Sequence, residues 1–145
     1  MKTIFIVEDN PVISKLYRDK FLREGFQVEL AEDGLAAMKM LAKLRPDLVV
    51  LDLMLPHFSG VDVLKQIRAT PDLKATPVVI LSEAYMSDLA QAAAKIGVEQ
   101  TLLKSSCTPN LLLEVVHNLL AGVQSKLDPS QQIAVRKPSE EPPPA

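Results

Sequence analysis

The sequence has almost no cysteine. Cys107 is the single one, so no disulfide can form within the chain, and the count speaks neither for nor against a reducing compartment. An excess of charge of one sign is missing as well: sixteen basic residues stand against eighteen acidic ones, for a net charge of -2. No whole-protein field therefore draws the chain to nucleic acid or to an anionic membrane. Long apolar runs are absent too. None approaches the ~20 residues a membrane-spanning helix needs. The first run, Ile4 to Val7, is too short for a signal-peptide core and meets Glu8 and Asp9 at once. A cytoplasmic protein is the expectation.

What is present is enough apolar material for one core. The 145 residues are 48% hydrophobic and 23% charged, which fits one domain with a tail. Short apolar runs alternate with segments of helical period. Ile4 to Val7 reads as a strand, and Asn10-Pro11 as a cap and first turn, with Val12, Ile13, Leu16, Phe21 and Leu22 as the apolar face before Gly25. Gln27 to Ala31 alternates polar with apolar, as an edge strand does. Gly34 to Leu44 is helical, with Leu35, Met38, Leu41 and Ala42 on one face. Leu48 to Leu51 and Val78 to Leu81 are uniform runs that suit interior strands, and Thr101 to Leu103 is a short last strand suited to an edge. Helices built on Val61, Leu64 and Ile67, on Leu89 to Ile96, and on Thr108-Pro109 through about Leu120 fill the gaps.

A β-α unit repeated in this way predicts an α/β fold: a doubly wound (βα)5 parallel sheet, flavodoxin-like, in order 2-1-3-4-5. The domain is expected to cover residues 1–124. Residues 125–145 carry five of the eleven prolines and few apolar residues, and read as a disordered tail.

In such a sheet, ligands bind beyond the carboxyl ends of the strands, where strand order reverses. Strand one ends at Glu8-Asp9 and strand three at Asp52, so three carboxylates converge there. Crowded like charges raise a pKa and cost stability unless a cation joins them. Carboxylate oxygens suit Mg²⁺. The same rim receives a hydroxyl, Ser82, from strand four and an ammonium, Lys104, from strand five. Metal-binding carboxylates, an aspartate able to act as nucleophile, a hydroxyl and a cation together suit phosphoryl transfer through an aspartyl phosphate. Asp52 is the candidate acceptor.

The stretches "FIVEDN", "LDLMLPHFSG", "VVILSEA" and "LLKS", in this order and spacing, resemble the response-regulator receiver domain of two-component signalling, over roughly Lys2 to Val123. The resemblance implies that Asp52 accepts phosphate from a phosphohistidine on a sensor histidine kinase or phosphotransfer protein. It implies that Glu8, Asp9, Asp52 and the backbone carbonyl of Met54 hold Mg²⁺, and that Ser82 and Lys104 bind the phosphoryl oxygens. It implies no enzyme beyond self-catalysed phosphorylation and dephosphorylation. Lys104→Ala is then expected to leave the fold intact and blunt the response. With no effector domain expected after the tail, output is expected through protein binding.

Three positions depart from the family. Thr101 replaces an aromatic residue, Ser105 a proline, and Glu83 a small residue. Thr101 has no ring to reorient. Ser105 predicts a trans bond or a rebuilt loop, since a cis bond before a non-proline residue costs ~2.5–4 kcal/mol. Glu83 is expected to narrow the phosphoryl site or repel it. The last helix is unusually apolar from Leu111 to Leu120, which reads either as broad core contact or as a downstream-partner or homodimer face. His57 and His117 are expected at the surface. Two other readings stay open: a receiver-like interaction module that does not switch, and a phosphatase with an aspartate nucleophile. Met54, where such phosphatases commonly have a second aspartate, counts against the latter.

Overall fold

The computed structural model describes residues 1–83 and 87–122, and the backbone of 132–133. Parallel strands β1 (Thr3–Val7), β2 (Gln27–Ala31), β3 (Leu48–Asp52), β4 (Val78–Ser82) and β5 (Gln100–Leu103) alternate with helices α1 (Pro11–Arg23), α2 (Gly34–Leu41), α3 (Gly60–Ala69), α4 (Asp88–Ile96) and α5 (Pro109–Leu120). The spatial order is β2-β1-β3-β4-β5-β6, where β6 is the pair Gln132–Ile133 running antiparallel to β5. The expected 2-1-3-4-5 core is thus present, but β5 is not its edge. A tail stretch expected to be disordered supplies the extra strand. The rest of the tail lies outside the described residues.

The uniform runs are interior for the expected reason. β3 and β4 are buried at every position, and β1 at all but Thr3. Alternate side chains of each strand feed two separate cores. Phe5, Val7, Leu51 and Ile80 face α2, α3 and α4, whereas Ile4, Ile6, Val50 and Leu81 face α1 and α5. β2 alternates in exposure, as a half-solvated edge strand does.

The helix ends follow their capping residues. Asn10 Oδ1 accepts from the amides of Val12 and Ile13, Asp33 caps α2, and Ser59 with Asp62 forms a reciprocal capping box on α3. The α1 face differs from the sequence reading. Ser14, Tyr17 and Phe21 point inward, while Val12, Leu16 and Leu22 are 67%, 54% and 50% exposed. At 3.6 residues per turn, Val12 and Leu16 lie half a turn from Ser14, on the solvent side. Tyr17 sets that phase, because its hydroxyl donates to the Cys107 carbonyl at 2.9 Å while its ring packs in the core. On α2, Gly34, Ala37 and Leu41 are buried and Leu35 is exposed, and the helix stops at Leu41, short of Leu44. On α5, Leu112, Val115 and Val116 are buried, and Leu113, Leu119 and Leu120 pack against the same core. Among the described residues, the strongly exposed large apolar side chains lie elsewhere: at Met1, on α1, at Leu35, and in the β3–α3 loop at Met54 and Phe58.

Candidate functional site

β3 ends at Asp52 because the chain turns there. The Leu53 amide still donates to the Leu81 carbonyl at 3.3 Å, but the Met54 amide donates to Asp52 Oδ1 at 3.0 Å instead of continuing the ladder. The turn is closed by Gly60, whose amide donates to the Leu53 carbonyl at 2.9 Å. A Cβ on Gly60 would stand 2.3 Å from the Asp52 carbonyl oxygen and 2.7 Å from Leu53 Cα, so only glycine lets α3 start this close to the strand end. Gly60 closes the stretch LDLMLPHFSG, which alone does not reveal this role. A glycine directly after the capping serine was the available signal.

β1 ends in the same way. The Glu8 amide donates to Ala31 on β2, and the Asn10 amide donates to Glu8 Oε2 at 3.1 Å, which turns the Glu8 carboxylate inward. Glu8 is 1% and Asp52 0% exposed, and Asp9 stands exposed beside them. The oxygens that the three acids can offer lie within 4.8 Å of one another. Register brings in the other two groups. Asp52 faces Leu81, so Ser82 comes one residue further along β4, buried at 3% exposure. Ser82 in turn faces Leu103, the residue before Lys104.

Lys104 Nζ donates to Asp52 Oδ2 at 2.8 Å and to Glu8 Oε2 at 3.1 Å. It is also 3.0 Å from Glu8 Oε1, close enough for an ion pair but without hydrogen-bond geometry, so that buried oxygen has no hydrogen-bond donor among the described residues. The ammonium therefore covers the buried acids. An open groove of about 530 Å³ above them is lined by Asp9, Met54, Leu55, Glu83, Leu89 and Lys104, while Asp52 lies beneath its floor.

The electrostatics follow from this burial. Burial pushes Glu8 up from 4.5 to about 7; the Asn10 amide and Lys104 pull the other way, and the Asp52 charge adds to the rise. Burial pulls the Lys104 ammonium down, but its hydrogen bonds to Asp52 and Glu8 outweigh that and leave it above its ordinary value. Lys104 thus stays charged, and Glu8 is the acid that takes up a proton when no cation is bound. An all-oxygen set with one buried oxygen lacking a donor, and one acid driven to protonate, fits a hard divalent cation.

A pH dependence follows. The folded chain holds the Glu8 proton more tightly than the unfolded chain does. Stability from this group is therefore complete below about 4.5 and lost as pH rises through about 7. In chelator, the urea midpoint should fall across that interval, and saturating Mg²⁺ should flatten the slope. A metal-free midpoint that is level or rises there would contradict the assignment.

The three departures have distinct structural outcomes. Thr101 is buried at 1% exposure, and its hydroxyl has no hydrogen-bond partner among the described residues. Ser105 follows a trans bond, as does every described residue, and sits in a 3-10 turn, Lys104–Ser106. Glu83 is exposed at the groove. His57 is exposed in the β3–α3 loop at φ 73, and His117 is exposed with its ring 5.4 Å from that of Phe26. Neither histidine touches the acidic cluster.

Comparison with known proteins gives a consistent match. Residues 4–117 fit the family model described as response regulator receiver domain. The chain is 38% identical over 116 residues to the Regulator of RpoS of Escherichia coli K12, covering 79% of this chain and 34% of that one. It thus spans about a third of that relative. It is 30% identical over 111 residues to the polar-differentiation response regulator DivK of Brucella anthropi, covering 77% of this chain and 90% of DivK. Among solved structures, the Mn²⁺-bound form of response regulator Rcp1 superposes with a TM-score of 0.71 at 31% identity, over 88% of this chain and 98% of that one.

Proposed function

The chain belongs to the response regulator receiver domain family, a phosphoacceptor module of two-component signalling, and from that premise we propose that Asp52 is the residue that takes the phosphoryl group. The observation that carries this reading is the placement of Asp52: fully buried at the end of the central strand, one oxygen held by the Met54 amide and the other by Lys104. In transfer, an Asp52 oxygen attacks phosphorus, a P–O bond forms, and the P–N bond to the donor imidazole breaks. The leaving nitrogen keeps the bonding pair and takes up a proton. Lys104 moves its pairing from Asp52 to the new phosphoryl oxygens, and Ser82 donates its hydroxyl to them. Glu8, Asp9, Asp52 and the Met54 carbonyl would hold Mg²⁺, which when bound neutralises charge on the acids and the incoming phosphoryl group. Hydrolysis of the acyl phosphate at the same site is the only enzymatic step proposed, so the chain is a signalling module.

The response is graded by energy. A near-complete two-state shift needs roughly 5.5 kcal/mol of differential binding. A hydroxyl bond to a charged group supplies about 1.5–3 kcal/mol. Ser82 alone therefore shifts the population only in part, and Lys104 and a partner supply the rest. Thr101 has no ring to carry the change outward, so the signal passes through Lys104 and the turn after β5 that it opens. The donor, a sensor kinase or phosphotransfer protein, docks over the groove, where Met54 is exposed and lines it, and exposed Val12 and Leu16 on α1 offer further apolar contact to a partner. Output is protein binding in the cytoplasm, with no direct contact to nucleic acid or membrane. Residues 1–124 are the receiver domain, and the proline-rich 125–145 follows it.

Phosphoramidate, whose P–N bond imitates phosphohistidine, tests the reading. Incubation with Mg²⁺ should give one phosphoryl adduct per chain by intact mass, removed by hydroxylamine as an acyl phosphate is. A chain that stays unmodified over a range of donor concentrations would refute it.

A further inference from the structure

The outer edge of β5 is covered by the chain itself. β5 pairs with β4 on one side; on the other, Thr101 faces Ile133 and Leu102 faces Gln132 in antiparallel register. An unpaired strand edge presents amide and carbonyl groups that recruit extended chain. The sequence supplies one suitable stretch and bounds it. Between Pro129 and Pro138, the residues QQIAV include Ile133 and Val135, the only β-branched residues after Val123. Such residues favour strands, and proline, which has no amide to donate, ends them. The observed pairing falls on that stretch. Residues 121–131 connect it to α5, and at ~3.3 Å per extended residue they reach well past the length of β5.

We infer that the β5 edge is a docking site for an antiparallel extended segment, and that its occupant is this chain's own Gln132–Ile133 stretch, paired in cis. The contact is small, with two residue pairs. A partner bringing a longer strand would therefore form more pairs on this edge than the chain's own segment does. The location gives it consequence, because β5 runs directly into Lys104. A strand exchanged on this edge sits beside the residue that holds Asp52. The inference stands on strand pairing and composition, and does not depend on phosphorylation.

The test uses the full chain and its double variant Gln132→Pro/Ile133→Pro, with amide hydrogen exchange read at Gln100 to Leu103. In the unaltered chain, the β5 amides that point away from β4 should be protected, to the same degree at every protein concentration. In the variant they should exchange about fivefold faster, the loss expected for one modest hydrogen bond. Amides of β1 and β3 should not change, which shows that the variant is folded. Equal exchange in the two chains overturns the inference. So does protection that grows with protein concentration, since the edge would then be taken by a second copy.

Discussion

Replacing Lys104 with methionine should lower the stability of the metal-free chain by about 3 kcal/mol at neutral pH, the low end for removing one partner of a buried ion pair. The Lys104 side chain is 14% exposed and the carboxylates beneath it at most 1%, so little solvent is available to replace the ammonium. Methionine fills the same volume and supplies no charge. Two buried carboxylates are then left facing each other without a cation. The low end applies because Glu8, already pushed up to about 7, can take up a proton and remove one of the charges. The loss should accordingly be smaller in acid and grow as pH rises. Mg²⁺ should stabilise the variant more than it stabilises the unaltered chain. Urea midpoints with chelator and with Mg²⁺ check all three points. A metal-free midpoint that is unchanged would show that Lys104 does not hold the acids together.

The second large effect concerns Asp52. Asp52→Asn should abolish the phosphoramidate adduct while keeping the fold. Asparagine has nearly the shape of aspartate, and its Oδ1 can still accept from the Met54 amide as Asp52 Oδ1 does at 3.0 Å. What it loses is the anionic oxygen that attacks phosphorus. It also removes the charge that helps raise Glu8, so the metal-free pH slope should weaken in the same variant. These outcomes separate loss of chemistry from loss of fold. Continued modification of the variant would move the acceptor to another residue.

Much of this was legible in the sequence because the interior strands carry their own signal. Runs such as Leu48 to Leu51 have no polar position to spare for solvent, so they can only lie inside a covered parallel sheet. Once the strand order is fixed, the charged residues that end the runs must meet at one rim. Relative position was less legible wherever a side chain's type did not decide which way it points. On α1, Ser14 is small enough to lie against the sheet, and the hydroxyl bond of Tyr17 to Cys107 turns Val12 and Leu16 outward. On α5, the leucines that looked too many for one stripe are largely used by the core. β5 looked like an edge because a two-residue antiparallel strand leaves almost no periodic trace.

The candidate site was read in its members but not in its wiring. Glu8, Asp9, Asp52, Ser82 and Lys104 stand out as strand-end residues. That Lys104 bridges Asp52 and Glu8 in the resting chain needs the register of three strands at once. For this reason Lys104, which by sequence looks dispensable to folding, is expected to be structural as well as reactive. The hydrogen bond from Gly60 that closes the turn after Asp52 is of the same kind, because it depends on how closely α3 approaches β3.

The most direct measurement is to locate the modified residue by peptide mapping after phosphodonor treatment of the full chain, once with Mg²⁺ and once with chelator. The account predicts phosphate on Asp52, formed with Mg²⁺ and nearly absent in chelator. Phosphate on Ser82 or any other residue, or equal modification of Asp52 without a divalent cation, would contradict it.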